Sequence, residues 1–315
     1  MTIHAPERST LDATAPKRSS GRKIKLLPYL LVLPAVVALL VGMGYPLVWQ
    51  IYNSFREYGL LQQFGAEPTF VWFDNYLTLL TDGFFWTVLV RSLVFMVVTA
   101  GMTVLLGIGM ALLMKAVNNT ARVCLQVAML LAWAMPIVAQ MTVWNWLIED
   151  RNGVFNYLLS KLPGVDYIGH NWLESPLSFF AIASTIIVWA SVPFVALSVY
   201  AGLTQVSNEV KEAAALDGAS GFQMLRRITL PIIRPILTIL ILLQMIWDLR
   251  VFAQIELLQG FGSAGDQYDL LGTYIYGLGI GQSQFGMAAA AAMLVMFVTI
   301  ALSAYYVREL LKEDS

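Results

Sequence analysis

Residues 207–231 read SNEVKEAAALDGASGFQMLRRITLP, a polar stretch between two long apolar runs. Ser207 is a residue type that caps helices, and Gly218 is one that ends them by accepting a positive φ. Ser220 begins a second helix, because the glutamine three residues later completes a Ser-x-x-Gln capping box. Leu230–Pro231 closes that helix, since a proline disfavours helix in the residue before it. The stretch therefore predicts a hairpin of two short helices joined by a glycine turn.

The two predicted helices each have a face suited to contact with another protein. On the first helix, spacings of three and four residues align a set with two small alanines: Val210, Ala213, Ala214 and Asp217. On the second helix, an apolar row lies beside two arginines: Phe222, Leu225 and Ile228, with Arg226 and Arg227. Because alanine lets a neighbouring surface approach closely, we expect a soluble partner to bind this hairpin.

The hairpin contains the pattern Glu-Ala-Ala-x3-Gly-x9-Ile-x-Leu-Pro, complete from Glu212 to Pro231. This pattern resembles the cytoplasmic coupling-loop signature of permease subunits of binding-protein-dependent ATP-driven importers. The wider sequence, over about residues 28–310, resembles the maltose-type carbohydrate permeases of that family. The resemblance implies that residues 205–231 dock into a cleft of an ATPase subunit. The residues it assigns to ATPase coupling are Glu212, Ala213, Ala214, Asp217, Gly218, Phe222, Arg226, Arg227, Ile228, Leu230 and Pro231.

The resemblance also implies an assembly and a fold. It implies an all-α integral membrane protein of six transmembrane helices, the type I importer permease fold with its cytoplasmic coupling-helix hairpin. The implied partners are a second permease subunit in a heterodimer, two ATPase subunits that bind Mg-ATP, and an extracytoplasmic sugar-binding protein. The implied cargo is a di- or oligosaccharide, and neither a cofactor in this chain nor a nucleic acid is expected.

Composition independently indicates an integral membrane protein. The 315 residues are 58% hydrophobic and 12% charged, with a mean hydropathy of +0.69, outside the range of ordinary soluble domains. The single cysteine, Cys124, leaves no possibility of an internal disulfide or a cysteine metal cluster. His4 and His170 are too far apart in sequence to give a metal-ligand spacing. We therefore expect no metal site and no catalytic residue.

Apolar runs of spanning length predict six transmembrane helices. They lie at residues 26–49, 84–114, 123–147, 177–203, 232–258 and 286–307. Residues 1–25 are basic and rich in Ser, Thr and Pro, which predicts a disordered cytoplasmic tail. The domain prediction is thus a tail at 1–25, a permease domain at 26–310 and a short cytoplasmic tail at 311–315.

The distribution of basic residues predicts the orientation of these spans. With both termini in the cytoplasm, fourteen of the 19 Lys and Arg residues lie on the inner side. The other five are Arg56, Arg91, Arg151, Lys161 and Arg250. This bias follows the positive-inside rule, so it places the hairpin in the cytoplasm of a multi-pass plasma- or inner-membrane protein.

The outer loops are predicted at 53–83, 148–176 and 259–285. In the first of them, FVWFDNY at 70–76 resembles the Phe-Val-Gly-Leu-x-Asn-Tyr segment of sugar permeases, with Trp72 in place of the glycine. Such a segment is predicted to form a short helix at the outer membrane surface, where Trp and Tyr prefer to lie.

Polar and aromatic side chains within the spans are candidates for a substrate pathway, because polar groups facing lipid are costly. The candidates are Trp133, Gln140, Trp144, Trp189, Gln244, Trp247, Asp248, Arg250 and Gln254. In the third span, spacing puts Trp133, Gln140 and Trp144 on one face. In the fifth, it predicts a continuous polar stripe from Gln244 to Gln254. Packing and interhelical hydrogen bonds are the alternative interpretation for each of them.

Three functions remain open from the sequence. The chain has no Gly-x4-Gly-Lys-Ser/Thr loop, so ATP hydrolysis must come from another subunit, and we expect no enzymatic activity here. Sugar import is favoured. Import of a phosphorylated polyol is an alternative within transport, although Arg250 is the only obvious cationic group of the predicted pathway. A channel or membrane scaffold without a nucleotide partner is the alternative from another class.

Overall fold

The computed structural model describes residues 26–313, except 165 and 264. The tail predicted at 1–25 lies outside the described residues. Contacts divide the described residues into two units, with the boundary between Trp49 and Gln50. The last helix continues to Glu313, into the short cytoplasmic tail predicted at 311–315.

The described chain is almost entirely helical. Its α-helices are α1 Leu26–Leu39, α2 Tyr45–Ser54, α3 Leu60–Gln63, α4 Asp74–Thr81, α5 Gly83–Ala116, α6 Asn119–Trp133, α7 Ile137–Ile148, α8 Val154–Leu159, α9 Pro176–Gln205, α10 Asn208–Leu216, α11 Gly221–Met224, α12 Leu230–Ile232, α13 Arg234–Leu249, α14 Ala253–Gly260, α15 Leu271–Tyr276 and α16 Phe285–Glu313. Turns of π-helix lie at Leu40–Gly44, Leu225–Thr229 and Gly277–Gly281, and a 3-10 turn at Asp266–Tyr268. Two strands, β1 Arg56–Glu57 and β2 Thr69–Phe70, pair antiparallel.

Four helical segments are long and apolar enough to cross a membrane: Leu30–Ser54, Gly83–Ala116, Pro176–Gln205 and Phe285–Ala304. Two further helix pairs meet the same test only as bent units. The pair α6 and α7 is bent by 100°, and the pair Gly221–Ile232 and α13 by 74°. The first, second, fourth and sixth predicted spans correspond to these four helices. The third corresponds to the pair α6 and α7, and the fifth corresponds in part to α13 of the second pair.

The prediction of a continuous third span at 123–147 was wrong. Helix α6 ends at Trp133, and α7 begins at Ile137. Pro136 lies between them in an extended conformation, with φ −59° and ψ 141°. Proline lacks an N–H and clashes with the carbonyl four residues earlier, and it keeps the preceding residue out of the helical region. The bend therefore has a local cause in the sequence.

The prediction of a continuous fifth span at 232–258 was also wrong. Helix α13 ends at Leu249, and a new helix, α14, begins at Ala253. Between them the Val251 carbonyl lies where a Cβ on Gly272 would be only 2.5 Å away. This close approach of two backbone segments is a tertiary contact. Residues 249–253 contain no proline or glycine, so the local sequence does not predict the break.

Small residues let the spanning helices pack closely. Helix α5 carries a buried small-residue row of Thr103, Gly107 and Ala111, of which Gly107 faces α9. A Cβ on Gly107 would be 2.5 Å from Cγ1 of Val195, so only glycine fits at this crossing. Because lipid gives helices no hydrophobic reason to associate, such close backbone approach is what holds them together.

The secondary structure of the first outer loop differs in part from the prediction. Residues Thr69–Phe70 form strand β2, and the helix predicted to include 70–76 begins only at Asp74. Asn75 fixes the loop, since its Nδ2 donates to the carbonyls of Ser54 and Arg56 at 2.9 and 3.0 Å.

Candidate functional site

The hairpin at 207–231 has the caps that its sequence predicts. The Ser207 hydroxyl accepts a hydrogen bond from the Val210 N–H at 3.4 Å at the start of α10. At the start of α11, the Ser220 hydroxyl accepts from the Gln223 N–H at 3.4 Å, and Gln223 Oε1 accepts from the Ser220 N–H at 2.9 Å. The predicted capping box is therefore confirmed.

Gly218 makes the predicted turn between α10 and α11. Its φ is +79°, in the left-handed region that favours glycine. Its N–H donates to the Ala215 carbonyl at 3.1 Å, and the Ala219 N–H donates to the Ala214 carbonyl at 3.0 Å. These two bonds form a Schellman motif, which satisfies the last carbonyls of α10. The turn angle of the hairpin thus depends on Gly218.

Most of the predicted coupling residues are on the surface of the hairpin. Exposed residues are Glu212, Ala213, Asp217, Gly218, Phe222, Arg226, Arg227 and Pro231. Ile228 and Leu230 are half-buried, and Ala214 is buried at 7% exposure. The hairpin therefore presents the two carboxylates of the pattern, Glu212 and Asp217, and both arginines to solvent.

The hairpin also exposes large apolar side chains beside its acidic groups. Leu216 is 90% exposed and Phe222 is 70% exposed. The sequence analysis did not include Leu216 among the coupling residues. Its position four residues after Glu212 on a polar helix could have indicated that it lies on the same side as Glu212. Leu216 and Phe222 flank the Gly218 turn and give it an apolar surface that a partner can cover.

The prediction that Leu230–Pro231 closes the second helix was wrong. The helix passes through a π-turn at Leu225–Thr229, continues through Pro231 and ends at Ile232. In this π-turn the Leu230 N–H donates to the Leu225 carbonyl. A wider turn before the proline relieves the clash that its ring makes in a regular helix.

A second feature, the polar ladder, consists of Thr99 and Thr103 on α5 and Gln244 and Asp248 on α13, all four buried. The Thr99 hydroxyl lies beside the Asp248 carboxyl. The other two members each lie four residues away, one helical turn further along their helices. Thus α13 presents Gln244 and Asp248 to α5, the neighbouring helix of the same chain.

The direction of the two helices supports this pairing. Val104 and Leu240 belong to one core cluster, and Met96 and Leu249 belong to another. The helices therefore run antiparallel, and Thr103 lies at the level of Gln244.

Atoms of the polar ladder have unmet hydrogen-bonding capacity. Thr103 Oγ1, Gln244 Oε1 and Nε2, and Asp248 Oδ2 have no hydrogen-bond partner within the described part of the chain. An unpaired polar group in an apolar interior costs about 1–3 kcal/mol. The ladder is therefore a costly feature of the α5–α13 contact.

The predicted polar stripe from Gln244 to Gln254 is interrupted after Asp248. Arg250 has φ −102° and ψ 12°, lies beyond the end of α13 and is exposed. Gln254 lies half-buried on the separate helix α14. Because the helix ends at Leu249, helical spacing does not apply across 249–253.

The aromatic candidates fall into two groups instead of one row. Trp133 stacks on Phe194 with ring centroids 5.9 Å apart, and Phe194 contacts Trp247 at 5.4 Å. Trp144 contacts Trp189 edge-on at 6.0 Å. The sequence analysis did not include Phe194 among the pathway candidates. Its position next to Pro193, a proline inside helix α9, was the only local signal for it.

The predicted common face of Trp133, Gln140 and Trp144 was wrong, because the α6–α7 bend separates the first from the other two. Gln140 is buried, and its Nε2 donates to the Met135 carbonyl at 2.7 Å. This hydrogen bond satisfies a backbone group that the bend leaves without a helical donor. Gln140 therefore stabilises the bend.

No group of three or more His, Cys, Asp or Glu side chains that could hold a metal ion occurs in the described ranges.

Comparison with known proteins identifies close relatives. The diacetylchitobiose uptake system permease protein DasB of Streptomyces coelicolor is 38% identical over 297 residues, covering 94% of this chain and 90% of that protein. The trehalose/maltose transport system permease protein MalF of Thermococcus litoralis is 31% identical over 300 residues, covering 95% and 98%.

Solved structures share the fold. A chain of a bacterial ABC transporter involved in the import of the acidic polysaccharide alginate matches with a TM-score of 0.75 at 24% identity. The match covers 91% of this chain and 95% of that one. At this level of identity the match shows the type I importer permease fold alone, and it confirms the predicted fold class.

A family match covers the hairpin, the last span and three of the four polar-ladder residues, all but Thr99. Residues 103–313 match the family described as "Binding-protein-dependent transport system inner membrane component". The match supports an importer permease over a channel or scaffold without a nucleotide partner. This chain belongs to the family of inner membrane components of binding-protein-dependent transport systems.

Proposed function

We propose that this chain is the permease subunit of an ATP-driven importer for a di- or oligosaccharide delivered by an extracytoplasmic binding protein. The observation that carries the proposal is the exposed hairpin with its complete Glu212 to Pro231 pattern. The sugar cargo is supported by the relatives named for diacetylchitobiose and for trehalose and maltose uptake.

The hairpin couples this chain to an ATPase subunit. Glu212 and Asp217 are exposed carboxylates that suit basic or polar groups of a docking cleft. Ala213 allows close seating of α10, and Leu216 and Phe222 supply apolar area for burial. Gly218 fixes the angle between the two short helices through its positive φ.

The chain functions within a larger assembly. Two ATPase subunits bind Mg-ATP, and a second permease subunit completes a heterodimer whose interface encloses the passage. Residues 26–310 form the permease domain, and 205–231 its coupling loop, with both termini in the cytoplasm. ATP binding and the loaded binding protein each shift the equilibrium between inward-open and outward-open states, since each binds one state better.

The substrate passage uses aromatic surfaces of this chain. Trp133 and Trp247 are exposed on either side of Phe194, and Trp189 is exposed beside Trp144. Sugar rings have apolar C–H faces that pack on such rings, and hydroxyl edges that need polar partners. Gln244 and Asp248 contribute indirectly, because they are buried against α5.

Substitution of Glu212 tests the coupling role. Glu212→Lys reverses an exposed charge on α10, so the protein should fold and insert normally while sugar uptake falls at least tenfold. The matched control is Glu209→Lys, which makes the same change on an exposed carboxylate of the same helix outside the pattern. Uptake and ATP hydrolysis of the reconstituted complex are measured together.

Gly218→Val supplies a second, geometric test. A β-branched residue at φ +79° is strained, so the hairpin angle should change while the membrane helices remain intact. We expect loss of uptake with normal membrane insertion. Wild-type uptake in both Glu212→Lys and Gly218→Val would refute the coupling role.

A further inference from the structure

A polar pocket of about 420 Å³ lies at the meeting point of four helix ends. Helices α5 and α9 end there, and α6 and α10 begin there. Its polar lining consists of Lys115, Arg122, Tyr200, Thr204, Ser207 and Asn208. The pocket therefore joins the spanning helices directly to the first helix of the coupling hairpin.

The pocket carries positive charge from two side chains, and one of them, Arg122, is anchored by hydrogen bonds. Lys115 and Arg122 line it, and its lining, all of it within the described chain, includes no carboxylate. Arg122 donates through Nε to the Met114 carbonyl at 2.8 Å and through Nη2 to the Val117 carbonyl at 3.2 Å. Its guanidinium also lies 5.9 Å from the ring centroid of Tyr200. Because guanidinium has five N–H donors, these anchors hold the charge in place without using all of its donors.

The start of α10 adds further features that favour an anion. Ser207 caps this helix and Asn208 is its first residue, so the positive end of the helix dipole lies at the pocket. Tyr200 and Thr204 line the same space, and the Thr204 hydroxyl donates to the Ala201 carbonyl at 2.7 Å. Two cations, the hydroxyl-bearing residues Tyr200 and Ser207 and a helix start together match a tetrahedral oxyanion with several acceptor oxygens.

We infer that this pocket binds a phosphate group, carried by the headgroup of an anionic lipid or present as free phosphate. The pocket lies where the spans end, and in the proposed orientation this is the headgroup level of the inner leaflet. A bound phosphate links the ends of α5, α6 and α9 to the start of α10. Occupancy thus stiffens the junction that holds the coupling hairpin, and coupling depends on the anion.

Equilibrium binding to the purified importer complex tests this inference separately from transport. The probes are a short-chain, water-soluble phosphatidylglycerol, the matching phosphatidylcholine and inorganic phosphate. We expect phosphatidylglycerol, inorganic phosphate or both to bind, and Lys115→Gln to weaken that binding at least tenfold. Arg308→Gln is the matched control, because it removes one exposed cation elsewhere on the same predicted side and should leave binding within twofold.

Asn208→Asp provides a variant that keeps the fold. An aspartate in the first turn of α10 suits the helix dipole, so folding is preserved, but its charge repels a phosphate in the pocket. It should weaken binding as Lys115→Gln does. Phosphatidylglycerol binding without phosphate binding would identify the lipid as the source, and phosphate binding alone would identify the free ion. Binding of neither probe, or unchanged binding in both pocket variants, would overturn the inference.

Discussion

Trp72 has a backbone conformation that residues other than glycine rarely adopt. Its φ is +51°, and its ring contacts Phe70 with centroids 5.4 Å apart. The resembling segment of sugar permeases has glycine at this position. The left-handed conformation costs a residue with a Cβ about 1–2 kcal/mol. Glycine in the resembling segment would adopt this positive φ without strain. Trp72 gains a ring contact with Phe70 but strains the backbone.

Two substitutions separate the ring from the backbone. Trp72→Ala removes the ring and keeps the strain, whereas Trp72→Gly removes both. We therefore expect the glycine variant to be more stable than the alanine variant by about 1 kcal/mol. Thermal unfolding of the two variants in the same detergent measures the difference. An alanine variant as stable as the glycine variant would show that the loop relaxes to a negative φ.

At the scale of helix pairs, the polar ladder predicts an unusual effect of a core substitution. Gln244 is 0% exposed, and neither side-chain heteroatom has a partner within the described chain. Gln244→Met keeps the approximate shape and removes the unpaired groups, so the free energy of unfolding should rise by about 1–2 kcal/mol. Sugar uptake measured alongside it shows whether transport needs the polar group.

Gln140→Met is the matched control, because it makes the same change at a buried glutamine whose Nε2 has a hydrogen-bond partner, while its Oε1 has none within the described residues. It removes the 2.7 Å bond to the Met135 carbonyl at the α6–α7 bend. Stability should fall by about 1 kcal/mol. A loss of stability in Gln244→Met would mean that Gln244 is hydrogen-bonded in the membrane.

Local chemistry explains which elements the sequence could predict. The caps at Ser207 and Ser220 and the turn at Gly218 depend on neighbouring residues only, and all three were predicted correctly. The bend at Pro136 has a local cause too, but hydropathy alone treats 123–147 as one apolar run. The break after Leu249 lies beside the close approach of Val251 to Gly272, two residues that are distant in sequence. Sequence periodicity cannot report such a contact.

The same limit applies to the candidate passage. Its aromatic members were predicted as candidates, but the grouping of Trp133 and Trp247 around Phe194 depends on how α6, α9 and α13 pack. The hairpin connects to this region through α12 and α13, which meet at a 74° bend beside the buried Ile233. A displacement of the hairpin can therefore move α13, and with it the polar ladder and Trp247.

For the whole molecule, the orientation in the membrane is the property on which the proposed assembly depends. It can be tested with single cysteines in a Cys124→Ser background. Leu216→Cys places a thiol on the hairpin at a site that is 90% exposed, and Phe64→Cys places one in the first predicted outer loop, also exposed. A membrane-impermeant thiol reagent should label Phe64→Cys in intact spheroplasts and Leu216→Cys only in inside-out vesicles.

The same Leu216→Cys variant tests docking of the hairpin. If an ATPase subunit covers the apolar surface around Gly218, labelling in inside-out vesicles should fall at least fivefold when that subunit is bound. Labelling of Phe64→Cys from the outer side should not change. Leu216→Cys that is labelled in intact spheroplasts would reverse the orientation, and equal labelling with and without the ATPase would place its binding surface elsewhere. Because thiol labelling needs no transported sugar, either result stands whatever the cargo is.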